Sequence, residues 1–205
     1  MGRTLLLVGR PGIGKTTAIK AVAERLGDRA GGFYTEEIRG PGGRKGFRLI
    51  TLDGRETVMA HVTLKGGGRP RVGRYGVNVE ALDRVGVTAL HRAMEDGRIL
   101  IIDEIGKMEL FSGAFKEAVL QAVSGPYTVV ATAMAKPNPW IEALRALPTV
   151  TVWEVTAENR DEIPKRVLRW LEGQGAGSRG AGSRGAGEQG AGEQGASVVR
   201  TFGGG

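Results

Sequence analysis

Eight consecutive residues, Gly9-Arg10-Pro11-Gly12-Ile13-Gly14-Lys15-Thr16, meet the phosphate-loop pattern G-x-x-x-x-G-K-[ST] at every fixed position. The spacing has a chemical reason. Glycines at 9 and 14 let the backbone bend so that successive N–H groups turn inward on a polyphosphate. Lys15 adds a positive charge for the outer phosphates, and the Thr16 hydroxyl is a ligand for magnesium. Thr17 follows in the first turn of a helix whose positive dipole end faces the anion.

A second set lies further along the chain. Ile99-Leu100-Ile101-Ile102-Asp103-Glu104 is four apolar residues followed by two acids. A continuous apolar run reads as a strand buried on both faces. Acids at its carboxyl end fall where open α/β sheets bind ligands. Asp103 is expected there to hold the magnesium through water, and Glu104 to orient and deprotonate an attacking water. Lys15 and Glu104 are thus the expected catalytic pair, with Ile105, Gly106 and Lys107 beside the phosphates. Thr132 ends another apolar run and admits two readings: a hydrogen bond to the γ-phosphate or the attacking water, or a strand cap.

These groups need strands and helices to carry them. Thr4 to Val8 reads as a strand entering the loop, and Ile19, Val22, Ala23 and Leu26 repeat at helical spacing after it. Phe33–Arg39, Gly46–Leu52 and Thr57–Thr63 read as three strands, joined by turns at Pro41-Gly42-Gly43 and Asp53-Gly54. They form an antiparallel insertion in an otherwise α/β pattern. Leu82, Val85, Ala89, Leu90 and Ala93 make a helical stripe. A helix carrying Phe111, Phe115, Ala118, Val119 and Ala122 inward precedes a strand at Tyr127–Ala131. Asn138-Pro139 starts a further helix, Thr149–Val155 is a last strand, and Ile163, Val167, Leu168 and Leu171 mark a closing helix. The order predicts an α/β fold: a mostly parallel sheet with helices on both faces.

The chain has 205 residues, 40% hydrophobic and 25% charged, as an ordinary globular domain does. Composition divides it into a domain at 1–172 and a tail at 173–205. The tail repeats Gly-Ala-Gly-Ser-Arg and Gly-Ala-Gly-Glu-Gln, holds 13 of the 35 glycines, and is expected to be a flexible extension. The domain keeps 26 basic against 20 acidic residues, or +6 of the formal +7. Such a charge attracts nucleotides and nucleic acid alike. Lys65, Arg69, Arg71 and Arg74 share an acid-free, glycine-rich stretch that reads either as a solvated loop or as a phosphate-facing one. No apolar run approaches the roughly 18 residues of a membrane span. The absence of cysteine excludes disulfides, and neither His61 nor His91 has the partners of a zinc site. The expectation is a cytoplasmic monomer.

Several stretches together resemble one family. They are Gly32-Phe33-Tyr34-Thr35-Glu36-Glu37-Ile38-Arg39, Gly46-Phe47, Arg71-Val72-Gly73, Ile102 to Phe111 and Glu158-Asn159-Arg160. The family is the small P-loop nucleoside-triphosphatases of thermophilic prokaryotes, which includes the vertebrate cancer-related NTPase. The resemblance covers about residues 3–171, and its most specific part is Asp103–Phe111. It implies a RecA-like fold and magnesium-dependent hydrolysis of ATP, GTP, CTP and UTP with little base preference. The guanine-reading N-K-x-D motif is missing, in keeping with loose selectivity.

Two other activities compete with hydrolysis. Gly31–Arg39 sits where nucleotide kinases build an acceptor site, so Glu36, Glu37 and Arg39 either line such a site or face solvent. The third reading is an NTP-binding module associated with RNA or DNA, motivated by the basic domain. Against it, no aromatic lies in Lys65–Gly73 to stack on bases. Lys107, Lys136 and Arg71 are the candidates for a transition-state cation.

Overall fold

The structure, a computed structural model, describes residues 2–173. The glycine-rich tail expected from Gly173 onward lies outside the described residues apart from Gly173 itself. Among the described residues nine strands form one sheet: β1 (Arg3–Gly9), β2 (Ala30–Gly40), β3 (Gly43–Thr51), β4 (Glu56–His61), β5 (Arg71–Val72), β6 (Tyr75–Val77), β7 (Ile99–Ile105), β8 (Thr128–Met134) and β9 (Val150–Glu154). Their order in space is β5-β6-β4-β3-β2-β7-β8-β1-β9. β2, β7, β8, β1 and β9 pair in parallel, and β2 through β6 pair antiparallel on the other side.

Leucines at 5, 6 and 7 show why β1 is central. All three are fully buried, with Leu5 and Leu7 packed in one apolar layer and Leu6 in the other. Alternation along a strand sends neighbours to opposite faces, so a strand covered on both sides must be apolar throughout. Helices α1 (Lys15–Leu26) and α6 (Ile163–Glu172) cover the Leu5 and Leu7 face. Helices α3 (Thr88–Glu95), α4 (Gly113–Ser124) and α5 (Pro139–Arg145) cover the other. Burying each such leucine is worth about 1.5–3 kcal/mol.

Three expectations are refined. β2 is not only part of an insertion: Ala30–Phe33 pairs in parallel with β7, and the remainder runs on to pair antiparallel with β3. The Lys65–Arg74 stretch is not wholly loop, because Arg71–Val72 pairs with Tyr75–Val77 in a short hairpin. Phe111 does not face inward but is 45% exposed. It lies in a 3-10 turn, Glu109–Phe111, and α4 starts only after Ser112, whose hydroxyl caps it by accepting the Phe115 N–H at 2.8 Å. The helix before β7 begins as α2 (Val79–Ala81), with Asn78 as its cap, and passes through π-helical turns at Leu82–Val87 into α3. Asn138 caps α5 as its position before Pro139 predicts, accepting from the Trp140 and Ile141 amides.

Candidate active site

The loop Gly9–Thr17 leaves the end of β1 and enters the first turn of α1. Gly14 caps α1 with φ of +116°, a conformation that side-chain-bearing residues rarely adopt. Arg10, Pro11, Gly12 and Thr17 are exposed, while Ile13 anchors the loop in the apolar layer under α1. Lys15 is only 5% exposed. Its ammonium donates to the Gly9 carbonyl at 2.8 Å and stands 3.1 Å from Glu104 Oε2.

Asp103 is fully buried, and each of its carboxylate oxygens is held. Oδ2 accepts the Thr16 hydroxyl at 2.8 Å, and Oδ1 accepts the Thr132 hydroxyl at 2.6 Å. The Thr35 backbone N–H adds a further bond. Burial pushes the Asp103 carboxyl up, and these three donors with Lys15 pull it down. Thr132 therefore orients Asp103 from within β8.

Neighbouring residues of a strand ordinarily point to opposite faces, yet Asp103 and Glu104 meet consecutive residues of α1. A bulge reconciles the two facts. Ile102 pairs with Ala131 and Ile105 with Ala133, so Asp103 and Glu104 together oppose the single Thr132. The extra residue breaks the alternation, leaving Ile102 and Ile105 in the same apolar layer and turning Glu104 to Lys15. Burial raises the Glu104 carboxyl above its usual range, against the opposing pull of Lys15.

The other expected residues fall in different places. Ile105 is buried in the core, Gly106 is buried beside Glu104, and Lys107 is exposed. Glu36 is paired with Lys20 at 2.5 Å and Arg48 at 2.8 Å; Arg39 is paired with Glu37 at 2.5 Å at the surface. Neither is brought to the Lys15–Glu104 pair by a hydrogen bond or ion pair. Arg71 and Arg74 donate to the backbone carbonyls of Arg74 and Arg44, and Arg44 donates to the Tyr75 hydroxyl at 3.0 Å.

Two contributors escape a reading of residue types. Thr35 acts through its backbone, which no side chain announces. Glu109 is a second buried acid, with its carboxyl against Gly106. Burial, with the nearby Glu104 and Asp103 charges, raises its pKa to about 8, although the Glu109 and Gly106 backbone N–H groups oppose the rise. Its place between Met108 and Leu110 was the available signal.

A phosphate loop between a buried parallel strand and a helix, faced by two acids at the end of a second strand, defines a P-loop nucleotide-binding protein. Residues 4–168 match the NTPase family, and the chain belongs to it. It is 43% identical over 168 residues to the nucleoside-triphosphatase THEP1 of Thermotoga petrophila, covering 82% of this chain and 92% of that protein. It is 38% identical over 186 residues to the cancer-related nucleoside-triphosphatase homolog of Bos taurus, covering 84% and 98%. The crystal structure of THEP1 from the hyperthermophile Aquifex aeolicus superposes with a TM-score of 0.76 at 40% identity, covering 82% of this chain and 99% of that one.

Proposed function

We propose that the protein hydrolyses nucleoside triphosphates to diphosphate and phosphate, with magnesium and with little preference among bases. The observation that carries this is the meeting of Lys15 and Thr16 with Glu104 and Asp103 at the sheet's carboxyl edge, at 3.1 and 2.8 Å. Kinship with proteins named nucleoside-triphosphatases supports it.

The donor set fits magnesium. Thr16 and Asp103 offer only hard oxygens, and among the described residues no group of three or more His, Cys, Asp or Glu could hold an ion alone. Magnesium is commonly held by one or two carboxylates and substrate phosphates, not by an all-protein cage. Thr16 would hold it by its hydroxyl and Asp103 through water. When bound, the ion neutralises phosphate charge. Lys15 sets its ammonium against the outer phosphates, and the loop and α1 amides bind their remaining oxygens. Glu104 orients a water and takes its proton as the water oxygen bonds to the γ-phosphorus and the bond to the bridging β–γ oxygen breaks. Burial makes Glu104 a stronger base than a free carboxylate.

Transfer to an organic acceptor has less support, because Glu36 and Glu37 are already engaged by Lys20, Arg48, Arg39 and Arg44. Among the described residues no helix is long and apolar enough to cross a membrane, and a nucleotide substrate suits a cytoplasmic setting. Following γ-labelled phosphate with and without nucleosides or nucleoside monophosphates tests the reading. Label in free phosphate regardless of acceptor is the expected result; label in a new organic product contradicts it.

A further inference from the structure

Lys15, Thr16, Asp103 and Glu104 all address phosphates, which leaves the nucleoside half of the substrate without a partner. Its direction follows from the strand order. Asp103, Glu104 and Thr132 put the reacting end at β7 and β8, and β1 is flanked on its other side by β9. A polyphosphate aimed at β7 therefore runs its nucleoside toward β9 and the segment 155–162 that follows.

That segment is fastened to the phosphate loop. The Val155 N–H donates to the Val8 carbonyl at 2.7 Å, and a Cβ on Gly9 would stand 2.7 Å from the Val155 carbonyl oxygen. It is also braced internally. Asn159 accepts the Thr156 N–H and donates to the Glu154 carbonyl, both at 2.9 Å, and the Arg160 N–H reaches the Thr156 carbonyl at 3.1 Å. From this frame the Arg160 stem lies over the start of α1: a Cβ on Gly14 would meet Arg160 Cδ at 3.7 Å and Cβ at 3.8 Å. The Arg160 side chain is 49% exposed, and its acidic neighbour Asp161, at 3.8 Å, is itself 91% exposed. A pair so open to water binds the guanidinium weakly.

We propose that Arg160 is the nucleoside-binding residue, with its guanidinium laid on the face of the base; this rests on the nucleotide reading above. A planar cation stacks on the π-face that every base presents, so it holds purines and pyrimidines without telling them apart. The phosphate loop supplies affinity for the polyphosphate, and Arg160 adds affinity for the nucleoside.

The test titrates the full chain, Arg160→Ala and Arg160→Lys with ATP, GTP, CTP, UTP and inorganic triphosphate. Melting temperatures should match, since the side chain is half exposed. Arg160→Ala should weaken all four nucleotides by about tenfold and leave inorganic triphosphate unchanged. Arg160→Lys should restore only part of the loss, because the planar fork is gone. An equal loss for inorganic triphosphate would mean that Arg160 holds a phosphate and would overturn the proposal. Unaltered nucleotide affinity would overturn it too. Failure of the parent to release phosphate would count against hydrolysis alone, since these titrations read binding.

Discussion

Lys15 and Glu104 meet at 3.1 Å, the ammonium of the phosphate loop against a carboxylate at the end of β7. The contact links the group that would hold the phosphates to the group that would activate water. On the function proposed here, an arriving phosphate would compete with Glu104 for the same ammonium, so substrate binding would loosen the pair and leave the carboxylate to accept a proton. Coulomb attraction at this distance falls steeply as the surroundings become more polar, and the Glu104 side chain is 31% exposed.

Gly106 controls where that carboxylate stands. A Cβ there would lie 2.9 Å from Glu109 Oε2 and 3.2 Å from Glu104 Oε1. Both are the ends of flexible side chains, so Gly106→Ala should fold and displace them. The expected outcome is a fall in kcat of about tenfold or more, since small misplacements at a reacting centre are costly, with a melting temperature close to the parent's. Steady-state kinetics beside a thermal melt checks this. An unaltered kcat would show that Glu104 needs no such placement.

Thr132→Val removes a hydroxyl donor from a carboxylate that has no access to solvent. The Thr16 hydroxyl and the Thr35 N–H remain. Leaving a buried charge short of one bond costs about 1–3 kcal/mol, so urea denaturation at neutral pH should show a loss of that order. The loss should shrink in acid, where Asp103 is protonated in both forms. Equal stability at neutral pH would mean that the Thr132 bond carries no weight.

Glu109 gives a pH-dependent prediction. Its carboxyl is raised from the ordinary 4.5 to about 8 in the folded protein, by burial first and by the nearby acids second. Between those values the folded state keeps a proton that the unfolded state has given up. Its contribution is therefore fully present below about pH 4.5 and is lost as pH rises through about 8. Glu109→Gln does not titrate, so its stability relative to the parent should rise from pH 5 to pH 8. Melting temperatures of both proteins at several pH values measure this. A constant difference would mean that Glu109 titrates as an ordinary glutamate.

Much of this arrangement is legible in residue order. The Gly9–Thr16 pattern, the four apolar residues before Asp103, and the Asn138-Pro139 start each follow from local chemistry. What escaped are effects of strands meeting across space. Nothing in Asp103-Glu104 announces the bulge that turns both toward α1, because it is defined only against Thr132 on another strand. Thr132 could cap a strand or reach a phosphate on sequence grounds; its bond to Asp103 needs β7 and β8 side by side. Glu36 reads as available in the sequence for the same reason in reverse. The Glu36 partners Lys20 and Arg48 come together only once β2 has paired with β3 and packed on α1, whereas Arg39 meets Glu37 two residues away on β2 itself.

The central claim is that Glu104 activates water, and Glu104→Gln tests it directly. The amide keeps the side chain's size but cannot take a proton, so only the chemical step should suffer. Removing a general base costs about 10²–10⁴-fold. Single-turnover hydrolysis beside a titration with magnesium nucleotide should show binding at least as tight as the parent's, since Lys15 is released from its ion pair. The chemical step should be slower by at least ~100-fold. Turnover at the parental rate would contradict the account and put the base elsewhere.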